Sequence, residues 1–112
     1  MENCLFCKIV SGAIPVTRIA EDEHALAFPD INPQAPTHFL VVPKRHIASI
    51  AEADDWNLIG KVYALAARTA REKKIITSGF RMVTNSGPDA GQTVFHLHVH
   101  VLGGRPMAWP PG

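Results

Sequence analysis

Residues 96–102, His-Leu-His-Val-His-Val-Leu, alternate imidazole and aliphatic side chains, and this period of two leaves little choice of local structure. In an extended strand, which rises ~3.3 Å per residue, alternate side chains point to one face. His96, His98 and His100 then share a face, and Leu97, Val99 and Val101 share the other. A slip by one residue would bury the imidazoles and expose the aliphatics, so the pattern specifies register as well as strand. Three of the chain's six histidines sit in this run, which marks a site rather than an accident of composition.

A chain of 112 residues supports one domain, 1–112, with a single core. Its net charge of +1 argues against sequence-independent nucleic-acid binding, which needs a basic face. Arg68, Arg71, Lys73 and Lys74 do cluster, but at the expected end of a helix, where cations oppose the negative end of the dipole. No stretch approaches the ~20 apolar residues of a membrane span. The first residues lack the basic and apolar regions of a secretory signal. The expected location is the cytoplasm, where Cys4 and Cys7 are thiols or metal ligands rather than a disulfide.

Along the chain, residues 5–10 predict a short helix closed by Ser11 and Gly12. Strands are expected at 16–20, 25–28, 38–42, 80–85 and 93–102, with a proline-containing loop at 30–37. A long helix starts after Asp54 or Asp55 and runs to Lys74, its apolar face built from Trp56, Leu58, Ile59, Val62, Tyr63, Leu65, Ala66 and Ala70. The expected fold is α+β: a five-stranded antiparallel sheet with one long helix and one short N-terminal helix. The C-terminal segment, rich in proline and glycine, carries Trp109 without a local partner, which suggests docking on another subunit.

The histidine ledge permits two chemistries. Imidazoles at i and i+2 can converge on a metal. Alternatively, one imidazole is a nucleophile and its neighbours bind an anion or move protons. The preceding loop supplies Gly87, Gly91 and Gln92, and Thr93 adds a hydroxyl; loop amides, a hydroxyl and imidazoles suit a phosphate better than a bare cation.

The run at 96–102 resembles the defining motif of the histidine triad superfamily of nucleotide hydrolases and transferases. Three further blocks, Phe28-Pro29-Asp30-Ile31-Asn32-Pro33-Gln34-Ala35-Pro36-Thr37-His38-Phe39, Val42-Pro43-Lys44-Arg45-His46-Ile47, and Arg81-Met82-Val83 with Asn85, resemble its nucleotide-binding (Hint) branch. So does the ending Trp109-Pro110-Pro111-Gly112. The resemblance implies a homodimer with one continuous sheet. It also implies hydrolysis of purine nucleoside 5′-phosphoramidates through a nucleotidyl-histidine intermediate, with no catalytic cofactor. Carried over by position, His98 is the nucleophile, His100 hydrogen-bonds the phosphoryl oxygens, and His96 and His38 support the network. Thr93, usually serine in the family, contacts phosphate or leaving group, and Asp30 binds the ribose hydroxyls. Asn85, Gly91 and Gln92 face the phosphate. Leu5, Phe6, Ile9, Phe28, Ile31 and Leu40 line a base pocket, or are ordinary core. Two rival readings are a dinucleoside polyphosphate hydrolase and a nucleotide-binding interaction protein with incidental turnover.

Cys4 and Cys7, two residues apart, are half a zinc site, a redox motif or a coincidence. His46 is not required by the ledge, and His96 can supply a fourth ligand. Bacterial-type members of the superfamily resemble this set, which makes the expected zinc structural.

Overall fold

The computed structural model describes residues 3–112. The sheet has five antiparallel strands in the order β1-β2-β3-β5-β4: β1 Ala20–Glu21, β2 Ala25–Pro29, β3 Thr37–Pro43, β4 Phe80–Val83 and β5 Val99–Gly103. Two helices, α1 Leu5–Ser11 and α2 Trp56–Glu72, complete the α+β fold, with a turn of 3-10 helix at Ile50–Glu52.

The alternation seen in the sequence divides the sheet into two faces. Ala25, Ala27, Phe39, Val41, Val99 and Val101 are buried with Val62, Leu65, Ala66 and Ala70 of α2. Leu26, Phe28, Leu40 and Val42 are buried with Phe6 and Ile9 of α1. Because Leu40 pairs with His100 and His38 with Leu102, the imidazoles of His38 and His100 belong to the α1 face.

Each helix carries the caps its sequence provides. The Asp55 carboxylate accepts from the Leu58 amide at 3.1 Å and starts α2. Cys4 Sγ accepts from the Cys7 amide at 3.3 Å at the start of α1. Gly12, at φ 87°, closes α1 in the left-handed region and donates to the Ile9 carbonyl. Trp56, expected on the buried stripe of α2, is 62% exposed because it occupies the first helical position, ahead of the first turn that meets the sheet.

Three strands are shorter than expected. Strand β1 covers only Ala20–Glu21, since Val16 packs against the α1 cluster instead of joining the sheet. Strand β4 ends at Val83, and the Thr84 hydroxyl bonds Tyr63. Most telling is β5, which begins at Val99 rather than Thr93. Val41 opposite Val99 is the last pair, and the next residues of β3 run into Pro43. Proline has no amide to donate, and the Pro43 carbonyl is taken by the His96 ring at 2.9 Å. The ladder cannot continue, and residues 93–98 leave it as irregular chain, fastened by Leu97 N–H to the Ile47 carbonyl at 2.6 Å. The inward alternation of Leu97 survives, in a small cluster with Ile47, Leu58 and Ile59.

Candidate active site and an adjoining thiol–imidazole cluster

A neutral imidazole carries one proton, and its bonding partner reveals which nitrogen holds it. Here backbone groups make that assignment. The buried His96 places Nε2 against the Pro43 carbonyl, which only accepts, so Nε2 is the donor and Nδ1 is left with a lone pair. His98 Nδ1 lies 2.8 Å from the His96 carbonyl, so Nδ1 donates and the lone pair is on Nε2. The Gln34 amide N–H points at His38 Nδ1 from 3.0 Å, so Nδ1 accepts and Nε2 carries the proton. His38 Nε2 is in turn 2.9 Å from His100 Nδ1, which must accept, leaving the His100 proton on Nε2.

The charge states agree. Burial, reinforced by the neighbouring His98 and His38, lowers the His100 pKa to about 4, although Asp30 opposes the shift. Burial also lowers His38, again against Asp30. His96 falls to about 4, chiefly through burial. At neutral pH these three rings are uncharged, each with a single defined donor. His98 sits among them, its ring 5.1 Å from His100 and edge-on to Phe6 at 5.0 Å.

Asp30 closes this group. Its Oδ1 accepts from the Asn32 amide at 2.8 Å, and its Oδ2 lies 3.4 Å from His38 Nε2 and 3.7 Å from His100 Nδ1. A carboxylate oxygen of Asp30 and one ring nitrogen each of His38 and His100 are close enough for a metal by distance alone. The tautomer decides otherwise: His38 presents a proton, not a lone pair, to the shared space. The triplet Asp30, His38 and His100 is a hydrogen-bond relay.

The second cluster has the opposite character. Cys4 Sγ, Cys7 Sγ, His46 Nδ1 and His96 Nδ1 all lie within 4.8 Å of one another. Cys4 to His96 is 3.3 Å, Cys7 to His46 3.3 Å, Cys7 to His96 3.5 Å and His46 to His96 3.2 Å. A tetrahedron with zinc–sulfur bonds of ~2.3 Å and zinc–nitrogen bonds of ~2.0–2.1 Å has edges of roughly 3.5 Å between S and N, and roughly 3.4 Å between nitrogens. His96 Nδ1 already has a free lone pair there. Burial and the adjacent Cys4 raise the Cys7 thiol pKa, a shift that a bound cation would reverse. The donor set fits a closed zinc site.

The other expected residues are scattered more widely. Phe6, Ile9, Phe28 and Leu40 are buried in one cluster, whereas Leu5 is 44% and Ile31 99% exposed. The Gln92 amide is committed to backbone: it donates to the Ala48 and Val94 carbonyls at 2.7 and 3.1 Å and accepts from the Gly87 amide. Its side chain therefore braces the 86–92 loop instead of facing a phosphate. Gly91, at φ 81°, donates to the Pro88 carbonyl and closes that loop. Asn85 is partly buried just beyond β4, and Thr93 is exposed. Thr93 and Leu5 share an open cleft of about 570 Å³ with Phe95, along the Cys4–His46 edge. Phe95, 63% exposed, escaped the sequence reading, as did the Pro43 carbonyl and the Gln34 amide. An exposed aromatic beside the triad was a usable signal; backbone groups offer none.

Comparison with known proteins bears on this constellation. The HIT domain model matches residues 11–107. The chain belongs to the HIT family. A HIT family hydrolase from Legionella pneumophila is 48% identical, with a TM-score of 0.95 over 98% of this chain and 100% of that one. A histidine triad protein from Clostridium difficile is 42% identical, with a TM-score of 0.93 over 96% of both chains. An uncharacterized HIT-like protein of Synechococcus elongatus is 46% identical across 99% of this chain and 98% of its own length. As a HIT family hydrolase-like protein, this one has its histidine triad at His96, His98 and His100. Among the described residues, no helix is long and apolar enough to cross a membrane.

Proposed function

We propose that the protein is a Hint-branch enzyme that hydrolyses the P–N bond of purine nucleoside 5′-phosphoramidates, such as adenosine 5′-monophosphoramidate, through a nucleotidyl-histidine intermediate. The observation that carries this reading is the 2.8 Å bond from His98 Nδ1 to the His96 carbonyl, which leaves Nε2 unprotonated and fixed in direction. His98 Nε2 attacks the α-phosphorus as the P–N bond breaks. The departing nitrogen takes a proton from solvent, relayed by the exposed Thr93 hydroxyl. Water then attacks phosphorus, giving up its proton to solvent, and the electron pair of the P–Nε2 bond returns to His98. His100 Nε2–H donates to a phosphoryl oxygen throughout, and it does so uncharged because Nδ1 is occupied by His38. Asp30 retains lone pairs for the ribose hydroxyls beyond those used by Asn32.

Cys4, Cys7, His46 and His96 would hold a structural zinc ion, supplying a tie between α1 and the chain that enters the triad. The open edge of β4 and the 82% exposed Trp109 support a homodimer, and the cytoplasm is its proposed location.

Turnover of adenosine phosphoramidate beside a dinucleoside polyphosphate, on wild type and His98→Ala, tests the reading. Wild type is expected to prefer the phosphoramidate. The variant should lose at least about a hundredfold in rate while binding nucleotide within about tenfold. A variant that turns over at the wild-type rate removes His98 as nucleophile. A wild type that cleaves only the polyphosphate selects the rival activity, and one that binds nucleotide without turnover selects the interaction protein.

A further inference from the structure

We infer that Gln34 and Arg105 are positioning residues for the triad: the Gln34 backbone N–H sets the tautomer of His38 and, through it, the direction of the His100 proton, and Arg105 holds Gln34 in place. The inference rests on the proposed hydrolase reading for its kinetic consequence, though not for its geometry.

The chain of donors runs in one direction. Gln34 N–H gives to His38 Nδ1, His38 Nε2–H gives to His100 Nδ1, and His100 Nε2–H faces outward. An amide nitrogen can only donate, so the first link cannot be reversed. Without it, His38 has a second tautomer with the proton on Nδ1 and a lone pair on Nε2. That lone pair opposes the one on His100 Nδ1 unless His100 also moves its proton. His100 Nε2 would then turn a lone pair toward a phosphoryl oxygen, where repulsion replaces a hydrogen bond. Asp30 Oδ2, at 3.4 Å, also favours a proton on His38 Nε2, so loss of the amide weakens the bias rather than abolishing it.

Residue 34 is held from several sides. Its own side chain donates to the Asn32 carbonyl at 3.0 Å, and the Asn32 amide is bound by Asp30. From a distant part of the sequence, Arg105 Nε donates to the Gln34 carbonyl at 3.0 Å, while its Nη1 donates to the Pro106 carbonyl. The approach is close enough to need a glycine. A Cβ on Gly104, at φ 91°, would stand 2.9 Å from Pro36 Cβ. The segment after β5 therefore clasps the loop that programmes His38.

Histidine labelled with ring ¹⁵N in the full-length protein, without substrate, reads the tautomer directly. Wild type is expected to show His38 protonated on Nε2 and unprotonated on Nδ1. Gln34→Pro removes the N–H; it should bring in the other His38 tautomer and lower kcat about tenfold, with KM within about threefold. Arg105→Ala should give the same spectral mixture to a smaller extent, and Gln34→Ala, which retains the N–H, should keep the wild-type tautomer. A wild-type His38 protonated on Nδ1 overturns the inference, as does a folded Gln34→Pro with unchanged spectrum and rate. If Gln34→Pro does not fold, the wild-type and Arg105→Ala spectra decide. A wild type with the expected tautomer but no phosphoramidate turnover defeats the proposed activity alone.

Discussion

Two groups of ligating side chains lie close together in this protein, and distance does not tell them apart. Cys4, Cys7, His46 and His96 gather within 4.8 Å; so do Asp30, His38 and His100. What separates them is one backbone group apiece. The Pro43 carbonyl claims the His96 proton on the far side of the ring, so the near side offers a lone pair to the thiols. The Gln34 amide claims the His38 lone pair on the far side, so the near side offers a proton to His100. The first ring is prepared for a cation and the second for a neighbouring base. A histidine's role is set behind it.

The strongest attack on this contrast is Cys4→Ser with Cys7→Ser. The wild type should purify with about one zinc per chain and the double variant with none, at a loss of several kcal/mol in stability. Turnover should fall less than stability, since His98 and His100 are untouched. Zinc retained by the double variant, read by elemental analysis, would put the metal on the triad and erase the distinction.

Acid should act next, through the relay. His100 has its pKa lowered to about 4 and His38 is shifted the same way, so the unfolded chain binds protons that the fold refuses. The His100 contribution is intact above the unfolded value near 6.5 and is lost as pH falls from there to about 4, below which it levels off; that of His38 falls in the same direction. The His100 share is on the order of 3 kcal/mol at most. Urea midpoints between pH 7.5 and 4 should trace that loss, and His100→Gln should lessen its slope, with His38 and His96 supplying what remains; an equally steep curve in the variant assigns the effect elsewhere.

The mildest probe is Asp30→Ala. Metal content should stay at wild-type level, while nucleotide affinity drops about tenfold, or ~1.4 kcal/mol, by calorimetry. Loss of metal in this variant would show that the relay holds an ion after all.

Much of this architecture was legible in the sequence. The alternation at 96–102 gave the correct faces, with Val99 and Val101 toward α2, because a period of two survives even where the ladder stops. Asp55 and Gly12 marked helix ends through local bonds that depend on those residues alone. The early end of β5 was not legible, since it depends on a carbonyl of β3 being taken by a ring more than fifty positions later. That a carbonyl would hold the Nδ1 proton of His98 followed from its central place in the triad, but the tautomers of His38, His96 and His100 were hidden: an amide or carbonyl is present at nearly every residue, and only the fold selects which one meets an imidazole.

The sheet ends differently on its two sides. One margin is β1, with only two residues, and the other is β4, with four. A strand of two residues is too short to template another chain, whereas β4 offers a usable row of amides and carbonyls. A second copy joining β4 to β4 about a two-fold axis would occupy the adhesive margin of both, leaving only the blunt ones outside. Growth would stop at two, so the same hydrogen bonds that recruit a partner would guard a β-rich protein against running on into fibres.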